Sequence, residues 1–185
     1  MRDHELHKVI GTILKSVETA VPGTRVCLDG ACGGFSTIPY RIPGETHSNP
    51  SKMCQGDILI LLDGQRRIEI EIEETDLRPL NLLAKAHGPR KCHYVERGII
   101  LPEHNDGVEI VHVIKTNSRK KLAQLRFVER WINEQLDVLG RYVYTIFHGT
   151  VEDFSHPSHR DELLGYVTSV LSRTSNGPLL KSDEG

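Results

Sequence analysis

Three glutamates at alternate positions of one predicted strand are the residues best placed to do chemistry. Residues 57–74 read DILILLDGQRRIEIEIEE, and isoleucines separate Glu69, Glu71 and Glu73. Alternate residues of a strand point to one face and lie roughly 6–7 Å apart, so these carboxylates repel one another. Open water, basic neighbours or a divalent cation could each offset the charge.

The preceding strand adds a fourth carboxylate if the hairpin has a suitable register. A three-residue loop over residues 63–65 predicts that Asp57 lies opposite Glu71 on the same face. A two-residue turn would put Asp57 on the other face. In the first register, the carboxylates of Asp57, Glu71 and Glu69 predict a site for Mg²⁺ or Mn²⁺. Such a cation could activate water and stabilise charge on a phosphoryl group.

The structural alternative is a solvated hairpin face, with the intervening isoleucines packed inward. Under either interpretation, Glu74 belongs to the loop after the strand. His4 and His7 lie near the start of a predicted helix, where a surface position is expected.

Length and composition indicate one globular domain. The chain has 185 residues, 38% hydrophobic and 26% charged, with a formal net charge of −2, which argues against a strongly basic nucleic-acid wrapper. The absence of a long apolar stretch predicts an intracellular, cytoplasmic protein without membrane association. We expect a single domain over residues 1–171 and a disordered tail over residues 172–185.

Hydrophobic periodicity predicts a mixed α/β fold with helices flanking a central mixed sheet. Helices are expected over residues 3–19, near 79–88, from Ser118, and from Ser158 or Asp161 to Leu171; strands over 24–28, 35–40, 57–62, 65–74, 92–101, 108–114 and 141–147; and a long loop over 41–56.

The hairpin resembles the signature of the PD-(D/E)XK nucleases, the restriction-endonuclease-like superfamily. In that signature an acidic residue opens one strand, and Glu-X-Lys follows about a dozen positions later on the adjacent strand. Asp57 is similar to the first acid and Glu71 to the second. The resemblance implies a central mixed sheet flanked by helices and Mg²⁺-dependent phosphodiester hydrolysis, with Asp57, Glu71 and Glu73 as catalytic residues.

The chain departs from the signature at its third position. Glu73 stands where most members of the superfamily have lysine, and it could act as a general base toward water. Pairing Glu69 with Glu71 is an equally valid reading of the motif. Lys85 or Lys91 could supply the missing positive charge, and Glu5 a further carboxylate.

Basic and thiol residues suggest two more sites. Candidate nucleic-acid contacts are Lys52, Arg119, Lys120 and Arg126. A charged exterior helix face is the simpler explanation for the last three. A zinc site could be assembled from Cys27, Cys32, Cys54 and Cys92 with His47 or His93, although reduced thiols are expected.

The resemblance implies a small, restriction-type endonuclease that binds double-stranded DNA. A homodimer is expected because cutting both strands of a palindrome requires two active sites. The alternative is a catalytically degenerate nuclease fold that binds nucleic acid or another protein. The missing motif lysine favours that alternative.

Overall fold

The structure is a computed structural model. It describes residues 4–41, 52–75, 81–83, 85–86, 93–96, 99–136 and 141–173.

Helices and strands follow one another in a mixed order along the described chain. The helices are α1 (Glu5–Lys15), α2 (Val17–Ala20), α3 (Arg119–Leu136), α4 (Val151–Ser155) and α5 (Pro157–Ser172). Residues 81–83 and 85–86 are also helical. The strands are β1 (Thr24–Leu28), β2 (Pro39–Arg41), β3 (Lys52–Gln55), β4 (Ile58–Leu62), β5 (Gln65–Glu73), β6 (His93–Glu96), β7 (Ile99–Ile100), β8 (Val108–Lys115) and β9 (Tyr142–Gly149).

A five-stranded mixed sheet organises the fold, in the order β1-β4-β5-β8-β9. β1, β4 and β5 pair antiparallel, whereas β5, β8 and β9 pair parallel. A smaller sheet has the order β3-β2-β6-β7. This arrangement confirms the predicted class of fold, a mixed sheet with flanking helices.

The β4–β5 hairpin reaches the predicted register by an unpredicted route. Its turn has two residues, since Leu62 pairs with Gln65, and both Asp63 (φ 51°) and Gly64 (φ 79°) adopt the positive φ of a type I′ turn. Of the two loop lengths considered from sequence, the structure therefore has the shorter one. Arg67 is an extra residue in the ladder, because Ile60 pairs with Ile68 while the next residue, Leu61, pairs with Arg66.

The two-residue turn alone would have put Asp57 on the opposite face from Glu71, and this β-bulge cancels that one-residue shift. It shifts the remainder of β5 by one residue, so Ile58 pairs with Ile70. Continuing that register places Asp57 opposite Glu71, on one face of the sheet.

The helices divide between the two faces of the large sheet. On one face, Leu6, Ile10 and Leu14 of α1 pack with residues of α5 against the isoleucines of β5. The spacing of these three residues is the apolar stripe expected of an amphipathic helix. On the other face, α3 and the helical residues near Leu82 cover β8 and β9.

The smaller sheet extends this second layer. Tyr40 and Tyr94 pack against Leu59 and Leu61 of β4. Glu69, Glu71 and Glu73 alternate with the isoleucines and therefore point toward this second layer.

Several element predictions need correction. The loop predicted over 41–56 contains β3 (Lys52–Gln55), and residues 42–51 lie outside the described residues. The strand predicted over 35–40 begins only at Pro39, and the first helix is interrupted at Ser16. Thr150 and Asp153 form a capping box that starts α4, a helix not predicted from sequence.

The last helix ends at Ser172, one residue beyond its predicted end. The tail predicted to be disordered lies, from residue 174 onward, outside the described residues. Within the described ranges, no helix has the length and apolar character needed to cross a membrane.

Candidate metal centre

A cavity of about 530 Å³ opens where β4 begins and β5 ends. One part of its lining, here called the acid–lysine cluster, consists of Asp57, Glu71, Glu73 and Lys85. Another part, the histidine cluster, consists of His4, His7 and Glu74. The cavity therefore collects acidic, basic and imidazole groups from α1, β5 and the helical residues after it.

The backbone of β5 holds the Asp57 carboxylate in place. Its Oδ2 accepts a hydrogen bond from the Ile72 N–H at 2.7 Å. Burial raises the pKa of Asp57, against the opposing effects of this hydrogen bond and of the Lys85 charge. The acid is thus fixed beside Glu71 with its charge only partly compensated.

Glu71 is the most strongly perturbed acid of the cluster. Its residue exposure is only 5%. Burial and the nearby charge of Asp57 raise the pKa of Glu71 to about 8, although Lys85 opposes the shift. Without a further cation, Glu71 therefore retains a proton at neutral pH.

Lys85 lies between the two last glutamates of the stripe. Its Nζ is 3.4 Å from Glu71 Oε2 and 3.3 Å from Glu73 Oε2. Burial alone would lower the pKa of Lys85, but the carboxylates outweigh it and the pKa is raised. Lys85 is thus a charged group at the centre of the cluster, whereas Lys91 lies outside the described residues.

Glu73 is held by two partners. Its Oε1 accepts from the Thr75 hydroxyl at 2.7 Å, and its Oε2 accepts from Lys85. Burial acts to raise the pKa of Glu73, but these two contacts prevail and lower it. Glu73 is therefore an ionised anchor for Lys85.

His7 was expected at the surface from sequence, and that expectation is wrong, whereas Glu74 lies in the loop after β5 as predicted. Glu74 Oε1 accepts from the His7 backbone N–H at 3.1 Å and lies 2.8 Å from His7 Nδ1. His7 is 7% exposed and its Nε2 lies 3.8 Å from Asp57 Oδ2. Their positions 67 residues apart give no local signal of this contact.

His112 is a buried neighbour of Glu71 across the β5–β8 ladder. It has no solvent exposure, and neither ring nitrogen has a hydrogen-bond partner among the described residues. Burial, and then the charge of Lys85, lower the pKa of His112 to about 3. The imidazole is therefore neutral and adds no positive charge beside Glu71.

Glu69 does not join the cavity as the predicted third metal ligand. Arg66 Nη1 donates to Glu69 Oε1 at 3.0 Å, and the Tyr40 hydroxyl donates to Oε2 at 3.3 Å. Both Glu69 (0%) and Arg66 (1%) are buried, and burial raises the pKa of Glu69 to about 7 against the Arg66 charge. The smaller sheet covers this end of the stripe, so the first glutamate is a structural ion-pair partner.

Arg66→Met is expected to destabilise the fold by about 3–5 kcal/mol, because it leaves the buried Glu69 without its cation. Urea unfolding of the metal-free protein measures this loss. Arg160→Met, which removes an exposed partner of Asp161, is the matched control and should cost about 0.5 kcal/mol or less. Equal stabilities of the two variants would contradict the assignment.

None of the remaining predicted site residues belongs to the cavity lining among the described residues. Glu5 is exposed on α1, and Arg126 is exposed on α3. Arg119 and Lys120 belong to α3 and Lys52 to β3, but their side chains lie outside the described part of the structure. Their proposed contacts with nucleic acid stay predictions.

The structure describes the side chains of only two of the six candidate zinc ligands. Cys27 and Cys32 are buried, and neither forms a disulfide among the described residues. The side chains of the other four candidate ligands (Cys54, Cys92, His47 and His93) lie outside the described residues.

Comparisons of the chain with protein-family models, with curated proteins and with solved structures find no match. The resemblance to the PD-(D/E)XK nucleases therefore remains a prediction. What supports it is the residue arrangement of the acid–lysine cluster.

Proposed function

We propose that the acid–lysine cluster binds Mg²⁺ or Mn²⁺ and that the protein is a metal-dependent DNA endonuclease. The position of Lys85 carries this proposal. Its Nζ contacts both Glu71 and Glu73 in the cavity that Asp57 also lines. A lysine from the following helical segment thus supplies the charge that the family motif places at position 73.

The donor set fits a hard divalent cation. Three carboxylates face one ammonium group, which leaves an excess of negative charge in a buried setting. Burial is the main cause of the raised pKa values of Asp57 and Glu71, and the charge of Asp57 adds to it at Glu71. Carboxylate oxygens are the ligands that Mg²⁺ and Mn²⁺ prefer.

Each residue has a distinct role in the proposed reaction. Asp57 and Glu71 would hold the cation, and Glu73 fixes Lys85 through Oε2. A bound divalent cation supplies acidity to water and neutralises phosphoryl charge. Lys85 offers an N–H donor to the attacking water or to a phosphate oxygen. Glu73, first considered as a general base, acts instead by positioning Lys85.

A cleavage assay tests this proposal. Full-length protein is incubated with supercoiled plasmid and Mg²⁺ or Mn²⁺, with and without EDTA, beside Glu71→Gln prepared identically. We expect nicked and linear products with either ion, none with EDTA, and recovery when metal is restored. No cleavage with either ion, together with unchanged DNA binding in Glu71→Ala, would instead establish the degenerate, non-catalytic alternative.

We also propose that two copies act together on double-stranded DNA, because one acid–lysine cluster cuts one strand at a time. The ratio of linear to nicked plasmid should then rise with protein concentration. Light scattering of the protein bound to DNA measures the number of copies. A single copy that makes linear product directly would exclude this arrangement.

A further inference from the structure

We propose that the histidine cluster is a second cation site, selective for a transition metal such as Zn²⁺ or Co²⁺. It lies in the same cavity as the acid–lysine cluster but uses different ligands. The inference concerns metal binding by His4, His7 and Glu74 and holds whether or not the cavity hydrolyses DNA.

The ligand atoms are already close together. One ring nitrogen from each of His4 and His7 and one oxygen of Glu74 all lie within 4.8 Å of one another. Ligand atoms about 2.1 Å from a tetrahedral metal ion lie roughly 3.4 Å apart, so the three side chains must close by up to roughly 1.4 Å to bind one. His4 is the N-cap residue of α1 and His7 lies three residues later in its first turn, and their ring centroids are 5.0 Å apart.

The surroundings of His7 also favour a cation. Glu74 faces its Nδ1 at 2.8 Å and Asp57 faces its Nε2 at 3.8 Å. Both ring nitrogens of His7 therefore face carboxylate oxygens, and the negative charge of these two acids favours a cation at this end of the cavity.

The donor types distinguish the two sites in the cavity. Imidazole nitrogen suits Zn²⁺, Co²⁺ and related ions, whereas Mg²⁺ prefers oxygen ligands and retains several waters. Two nitrogens with one carboxylate therefore select a transition metal.

Glu74 has a structural role that the test must separate from metal binding. Its carboxylate accepts the His7 backbone N–H near the start of α1 and so caps that helix. Glu74→Gln retains an oxygen that can accept this bond but removes the charge. His4 is exposed and makes no side-chain capping bond, so His4→Gln leaves the helix start intact.

Titration of the full-length protein with CoCl₂ tests the site, with visible absorption and calorimetry as readouts. We expect one Co²⁺ equivalent with nitrogen coordination that excess Mg²⁺ does not displace. His4→Gln and Glu74→Gln should each weaken this binding by about 10-fold or more. His159→Gln, an intermediate-exposure histidine of α5 outside the cluster, is the matched control and should bind as wild type.

Variant behaviour separates this inference from the proposed function. Glu71→Gln should retain tight Co²⁺ binding even where plasmid cleavage is lost. Absence of Co²⁺ binding to the wild-type protein would overturn the inference, and so would wild-type binding by His4→Gln. Loss of binding in Glu71→Gln with retention in His4→Gln would also overturn it, because the ion would then occupy the acid–lysine cluster.

Discussion

Glu71→Gln is expected to lower metal-dependent plasmid cleavage by about 1,000-fold. Glutamine has nearly the same shape but lacks the charge that would hold the cation beside Asp57. Initial rates across a Mg²⁺ titration measure the effect, and calorimetry should show weaker Mg²⁺ binding. Glu162→Gln, at an exposed position of α5, is the control and should cleave as wild type. Wild-type rates in Glu71→Gln would exclude Glu71 from the reaction.

The same substitution, which lowers cleavage, is expected to stabilise the metal-free protein relative to wild type as the pH rises. In the metal-free protein the pKa of Glu71 is about 8, so between pH 4.5 and 8 the folded state binds more protons than the unfolded state. The stabilisation from this group is complete below about pH 4.5, its ordinary pKa, and is lost as the pH rises through about 8.

Glu71→Gln has no such loss. From about pH 5 to about pH 8, its free energy of unfolding should rise relative to wild type by on the order of 3 kcal/mol. Urea unfolding at several pH values, in EDTA, measures the difference. Saturating Mg²⁺ should reduce it, because the cation binds the deprotonated carboxylate. A difference that does not change with pH would contradict the raised pKa.

Lys85→Met is expected to lower cleavage by about 100-fold or more while strengthening Mg²⁺ binding. The substitution removes the ammonium group that contacts Glu71 and Glu73, so the carboxylates present more uncompensated charge to a cation. The rate and the metal affinity therefore change in opposite directions. Damage to the fold would lower both.

The matched control is Lys15→Met, which removes an exposed lysine of α1 paired with Glu18. It should change neither cleavage nor Mg²⁺ affinity. Lys85→Arg retains a charge at the position and should recover part of the rate. Equal rates in Lys85→Met and wild type would show that the cluster acts without this lysine, and the basis of the proposed function would be lost.

Periodicity along the chain accounts for much of the fold. The apolar spacing of Leu6, Ile10 and Leu14 predicts α1, and the alternation around Ile70 predicts β5 with its glutamates on one face. These are local patterns, repeated every 3.6 or two residues, and the backbone geometry fixes them before any distant contact forms.

Periodicity does not distinguish the roles of the three glutamates of β5. Glu69, Glu71 and Glu73 have the same spacing and the same chemistry. Tyr40 and Arg66 enclose the first, whereas Lys85 contacts the other two. The neighbours of each carboxylate depend on which part of the second layer covers it.

The sequence by itself determined the mixed fold, the carboxylate hairpin and the candidate pair of Asp57 and Glu71. Only the tertiary structure showed that a bulge at Arg67 restores their register and that Lys85 and His7 reach the same cavity. A bulge and a contact across 67 residues depend on packing between distant segments. Such packing has no period along the chain, so it appears only when the layers are assembled.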